Sequence, residues 1–392
     1  MHQKIKNNIY KQFKTVFIMA ELFDSYARPV SFTQFGKQFD SEISVHDAFH
    51  EAMLDFVVDE QPIIRAPQEL INPIINGTFD GLYDGSINDA ALIKSKTDEL
   101  VDWAMNFSRS MGTISTHKAT YRTDAGNTLG VVGKDYAIVQ NEEALEFINY
   151  LSEVSGQQAQ IVSAGALGYG ERIFITVQLG KDVFLDPNDA LKTYVVFTTS
   201  HDGSGGVSAL ITHIRVVCQN TLNAALHDKA TNKLTFKHTK NVGQRLDWQI
   251  AANRERAARV FGQVGKFNEA FIANMLDLKG QNVDAKYVRE FAAKMYLDKA
   301  QMRLLELANW NFDKVDEIST RKKNLIEALS AAIENGIGQN MYRGTKLWLL
   351  NGWTTFLHNV KEYRSPEAEF SSLYEGAGKN GTQKAYDLLI AA

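Results

Sequence analysis

The chain has 392 residues, 44% hydrophobic and 22% charged, so it carries ample apolar material for a core, and its length points to two or three domains. A single cysteine, Cys218, excludes an intramolecular disulfide and a zinc knuckle and suits a reducing compartment. A net charge of −4 argues against a histone-like protein, and with six prolines there is no long linker to hold domains apart.

The start, Met1 to Lys14, is basic and leads into Val16-Phe17-Ile18-Met19-Ala20. That apolar run is too short for a signal-peptide core or a membrane span, so a cytoplasmic protein is expected, with no membrane partner. Met19 would also make a natural start, with residues 1–18 as an optional extension. Ser44 precedes an amphipathic stretch to Leu54 with acids in its first turn, the pattern of a capped helix. Ile71 to Gly85 is rich in Asn, Gly and Asp and reads as loop. From about Ala91 to Ser108, Ile93, Leu100, Val101, Ala104 and Phe107 recur at helical spacing.

The character changes near residue 112. Thr120–Thr123, Asp124-Ala125-Gly126-Asn127 and Thr128–Val132 read as strand, tight turn and strand. Asn141-Glu142-Glu143 opens a helix to about Val154, its acids suiting the positive end of the helix dipole. Apolar strands are expected at 160–166, 172–179, 192–200 and 207–217, with a turn at His201–Gly206, and a helix is expected from Asn220 to His227. From Leu246 the pattern is helical over 248–263, 268–278, 284–295, 299–309, 320–335 and 345–362, with a looser tail after Pro366. The fold expected is α+β. It divides into an acidic mixed region (1–110), a central antiparallel β-rich core with packed helices (111–245) and a mainly helical C-terminal region (246–392).

Charge is segregated along this order. Residues 21–110 hold 16 acids against 6 bases, whereas residues 207–266 hold 10 bases against 3 acids. Either the basic stretch forms a polyanion-binding surface, or the two regions pack together and neutralise each other. On the first reading Arg215, Lys237, His238, Lys240, Arg254, Arg256 and Arg259 are the candidate phosphate contacts, with Lys as point charge and Arg as fork.

No catalytic constellation stands out. Gly165-Ala166-Leu167-Gly168-Tyr169-Gly170 has the wrong spacing and place for a dinucleotide fingerprint, and suits a β-connection with positive φ. His201-Asp202-Gly203-Ser204 is turn chemistry first and a polar loop toward phosphate second. Cys218 beside two valines reads as a small buried hydrophobe. A nucleophile would need His201, His213, His227 or His238 beside it as base. Asn220 or Thr221 is suited to cap a following helix. Trp348 and Phe356 are spaced for a core, while Tyr136, Tyr169 and Phe174 are either base-stacking rings or core residues.

Five ordered motifs carry a resemblance: Leu129-Gly130-Val131-Val132-Gly133 with Tyr136 and Val139-Gln140-Asn141; Ala164-Gly165-Ala166-Leu167 with Gly170-Glu171-Arg172; Thr199-Ser200-His201-Asp202-Gly203-Ser204; Arg215-Val216-Val217-Cys218-Gln219-Asn220-Thr221-Leu222; and His238-Thr239. Together they closely resemble the phage/plasmid-like proteins grouped as domain-of-unknown-function family 932, over about residues 112–260, with an echo at Thr345, Trp348 and Asn351. The resemblance implies a protein of phages, prophages or plasmids and carries no activity with it. The order hairpin, helix, strands, helix is also similar in topology to single-strand annealing proteins, phage recombinases among them. The leading expectation is therefore a single-strand nucleic-acid binding or annealing protein in replication or recombination, without a cofactor and homo-oligomeric. The rival is a protein-interaction factor that modulates host defence by contacting a host protein. An enzyme using His201, Asp202, Cys218 or His238 comes third.

Overall fold

A computed structural model describes residues 35–83, 86, 87, 89–156, 158–215, 220–222, 233–241, 246, 247, 251–336, 339–374 and 376–390. Residues 1–18, Met19, Cys218 and His227 lie outside them. The described strands are β1 (Lys37–Gln38), β2 (Val58–Arg65), β3 (Gly112–Arg122), β4 (Thr128–Gly133), β5 (Ala159–Leu167), β6 (Arg172–Asp186), β7 (Asp189–Ser200), β8 (Val207–Arg215), β9 (Asn220–Leu222) and β10 (Lys233–Phe236). The architecture is α+β, with antiparallel sheets, packed helices and a helical C-terminal part.

The chain divides into two compact units. The first contains Phe56–Ile138 and His201–Ser204. Its antiparallel sheet runs β2-β3-β4, and helices Gln68–Ile75 and Ala90–Ser110 accompany it. The segment from Ile71, expected as loop, is helical to Ile75. Trp103 Nε1–H donates to the Leu70 carbonyl at 2.8 Å, and its ring meets Phe79 and Phe107. That tertiary anchor outweighs the local turn composition. Asp89 caps the long helix by accepting from the amides of Ala91 and Leu92. None of the helix is buried. Leu100, Trp103 and Phe107 are half-covered, whereas Ile93 and Val101, expected to pack, stand exposed.

The second unit contains residues 35–55, Val139–Ser200 and 205–390. Its sheet runs β1-β5-β6-β7-β8-β10, with β9 also on β8, every pair antiparallel. The middle strands are buried on both faces, so they read as continuous apolar runs. Phe197 meets Phe147 of helix Asn141–Ser155, and Phe147 meets Phe261 of helix Ala251–Phe261. Phe174 meets Phe370 of helix Pro366–Tyr374, whose Tyr374 hydroxyl donates to the Val196 carbonyl. Gln140 and Glu143 form a reciprocal capping box at the head of helix Asn141–Ser155.

Two further expectations are corrected. Asn220-Thr221-Leu222 is a strand, not a helix start: Asn220 pairs with Arg215 and Thr221 with Ile214. The side chains that suit a cap are overridden by edge pairing to β8. The tail after Pro366 is not loose either, because it forms helices Pro366–Tyr374 and Ala377–Ile390, which bury Phe370, Tyr374 and Tyr386. The helix they surround, Lys346–Thr355, is buried on every side and continues as a π-helical turn, Phe356–Val360. Trp348 and Phe356 lie in that core as their spacing implies.

Candidate nucleic-acid interface

The basic stretch after residue 207 is built on the β10 edge and the helix packed beside it. Phe236 ends β10 with its ring buried, and Arg256, on helix Ala251–Phe261, lies 4.7 Å over that ring. The same guanidinium donates to the Thr235 carbonyl at 3.0 Å. Arg256 therefore clamps helix to strand, and part of its fork is spent on the fold. Arg254 is half-buried, and its carbonyl accepts from the Tyr150 hydroxyl at 3.1 Å. His238 is also tied into the fold, with Nε2 3.2 Å from the Thr199 hydroxyl.

The charges left facing solvent are Lys237 and Lys240, just after β10, and Arg259 on the helix. Lys266, on the next helix (Val264–Gly280), is exposed as well and joins them, although it was not among the candidate contacts. None of these four forms an ion pair with a described residue. Among the described residues, then, no carboxylate neutralises these four charges by direct pairing. Arg215 lies on β8 with its side chain outside the described set. The structure thus brings Lys237, His238, Lys240, Arg254, Arg256 and Arg259 onto adjoining elements, held together by the Arg256 contacts.

The remaining motif positions serve packing. In the first unit the Thr120 hydroxyl donates to the His201 carbonyl at 2.6 Å. Asp202 Oδ1 accepts from the Ser204 amide at 2.8 Å, an Asx turn. Gly130 lies directly against this turn, since a Cβ built there would fall 2.5 Å from the Asp202 Cα. The buried His201 ring meets Phe56 edge-on, and Arg122 covers Phe56 at 3.9 Å while binding both carboxylate oxygens of Asp124. Those hydrogen bonds hold the Asp124 carboxyl below its usual range. In the second unit Gly165 meets the Cα of Gly36, a close approach that a side chain would block. Phe174 is fully buried and cannot offer a stacking face, whereas Tyr169 is half exposed at the β5–β6 turn.

The described histidines His201, His213 and His238 are engaged in contacts of the fold, and Cys218 and His227 lie outside the described residues. His213 stacks on Phe271 at 3.9 Å, and its Nε2 lies 2.9 Å from Asn268 Oδ1. Burial pushes its pKa down to about 4, against the pull of Asn268, so it is neutral at pH 7. Asn220 and Thr221 lie on β9 with their side chains outside the described set. Among the described residues no group of His, Cys, Asp or Glu could hold a metal ion, and no helix is long and apolar enough to cross a membrane.

A family model described as "Domain of unknown function (DUF932)" matches residues 128–375. No curated protein and no solved structure matches the chain.

Proposed function

This chain belongs to the DUF932 family, and we propose that within it the chain acts as a nucleic-acid-binding protein of a phage or other mobile element, working in the cytoplasm. The single observation behind this reading is the set of Lys237, Lys240, Arg259 and Lys266: four exposed cations, without an ion pair among the described residues, on adjoining elements of a protein whose net charge is −4. Such a surface neutralises phosphates and releases their counterions, which needs no cofactor. The ligand in this reading is a single strand, held by its backbone with its bases free to anneal. Because one protomer spans few nucleotides, several copies would act together.

Filter binding of labelled single-stranded DNA across a salt series tests the proposal. With four phosphates neutralised, the logarithm of affinity should fall against the logarithm of salt with a slope of about −3. A combined Lys237→Ala, Lys240→Ala, Arg259→Ala and Lys266→Ala variant should flatten that slope and lose about 100-fold in affinity at low salt. Binding without salt dependence, or an unchanged variant, defeats the reading. Tighter binding of the duplex would remove the single-strand part alone.

A second reading rests on helix Ala90–Ser110, which exposes Ile93, Val101 and Met105 two turns and one turn apart on an acid-rich stretch of chain. Here the chain contacts a host protein and modulates defence. A stoichiometric partner captured after nuclease treatment, and lost in Val101→Asp, would favour it over strand binding.

A further inference from the structure

We propose that a cavity beside Trp310, in the helical C-terminal part, binds a free mononucleotide. This goes beyond strand binding and does not depend on it. The cavity has a volume of about 600 Å³, within the range of small-molecule sites. Trp310 and Phe312 supply its apolar lining, Arg289 and Asp313 line it as well, and helix Thr320–Asn335 contributes Lys323, Asn324, Glu327 and Ser330. Lys323, Glu327 and Ser330 are spaced by four and three residues and Asn324 lies three before Glu327, so one helix face looks into the space.

Three features argue for a ligand rather than an incidental groove. First, the charges are uncommitted: among the described residues Arg289, Lys323 and Glu327 form no ion pair, although Lys323 and Glu327 are one helical turn apart. Second, Arg289 lies 5.8 Å over the Trp310 ring, at the outer limit of a cation–π contact, so little is lost if it turns onto an anion. Third, the wall is built at a backbone cost. Helix Lys299–Leu307 ends with Asn309 and Trp310 at φ +50° and +63°, closed by the Trp310 amide on the Leu305 carbonyl at 2.9 Å. Glycine usually takes such positions, because a side chain at positive φ crowds the neighbouring carbonyl.

The chemistry that fits is a planar heterocycle carrying an anion and hydroxyls. The base packs on Trp310 and Phe312, and the phosphate meets Arg289 and Lys323. The ribose hydroxyls and the base edge meet Asn324, Glu327 and Ser330. A hydrophobic ligand would strand these polar groups, and a bare anion would leave the aromatic wall unused.

Calorimetric titration of the full chain with AMP, GMP, CMP and UMP is the test, with adenosine and ribose 5-phosphate as part-ligands. At least one mononucleotide should bind saturably, and each part-ligand about tenfold or more weaker. Arg289→Met and Lys323→Met, both at solvent-accessible positions, should each weaken the mononucleotide about tenfold. Trp310→Phe should abolish ligand-induced quenching of tryptophan fluorescence while Trp103, Trp248, Trp348 and Trp353 remain. No saturable heat at millimolar nucleotide, equal binding of ribose 5-phosphate, or indifference to Arg289→Met and Lys323→Met would each overturn the proposal.

Discussion

Gly130→Ala is expected to lower stability by about 3 kcal/mol, the upper end of ordinary overpacking. A methyl group at this position would lie 2.5 Å from the Cα of Asp202, 2.8 Å from its Cβ and 2.9 Å from its carbonyl oxygen. Two of these atoms are backbone, so no rotamer change relieves the clash. The turn cannot simply retreat, because its carbonyl at His201 is held by the Thr120 hydroxyl from the same sheet. Gly133→Ala, three residues along β4, is the internal control: a Cβ there meets nothing within 4 Å, and a change within about 0.5 kcal/mol is expected. Urea unfolding followed by circular dichroism should show a lower midpoint at unchanged slope for Gly130→Ala alone. Equal midpoints for the two variants would mean that the turn does not rest on Gly130. The contact also explains why two separated motifs, Leu129–Gly133 and Thr199–Ser204, occur together in one chain: they are the two sides of a single packing contact.

Local signals carried much of the fold. Strands β5 to β8 are legible because a sheet covered on both faces demands unbroken apolar and β-branched runs. The helices at Val45–Glu51 and Asn141–Ser155 are announced by their caps and acidic first turns. What escaped was decided by partners distant in sequence. β2 pairs with β3 across the whole helical insertion, and β10 is a four-residue edge strand with no pattern long enough to read. Asn220-Thr221 carries capping chemistry, yet the neighbouring strand claims its backbone. The site was legible only as charge. Counting residues exposes the basic excess, but not that Arg256 is engaged by Phe236 and Thr235 while Lys237 and Arg259 stay clear. Of the two roles open to Phe174 the sequence could not choose, since alternation cannot tell a solvent face from one covered by Phe370.

The buried carboxylate at the β6–β7 turn sets the other large effect. Tyr342→Phe should cost about 3 kcal/mol at pH 7, because it removes a donor from the fully buried Asp189 side chain while leaving the packing intact. The Tyr342 hydroxyl lies 2.6 Å from Asp189 Oδ2 and 3.0 Å from Asp186 Oδ2, and Lys279 Nζ donates to Asp186 at 2.6 Å. Burial, reinforced by Asp189, pushes the phenol pKa above its ordinary range, so it stays a donor. The pH dependence follows from Asp186, whose carboxyl is held below the ordinary 3.8, first by Lys279 and then by Tyr342. A depressed folded pKa gives stability that is present above 3.8 and lost as pH falls through the lower folded value. Removing the phenol weakens that depression, so the gap between parent and variant should narrow as pH drops below 3.8. Urea midpoints at pH 7 and under acid conditions measure both parts. A deficit under about 1 kcal/mol at neutral pH, the size of an ordinary neutral hydrogen bond, would show that this network does not rest on the phenol as donor.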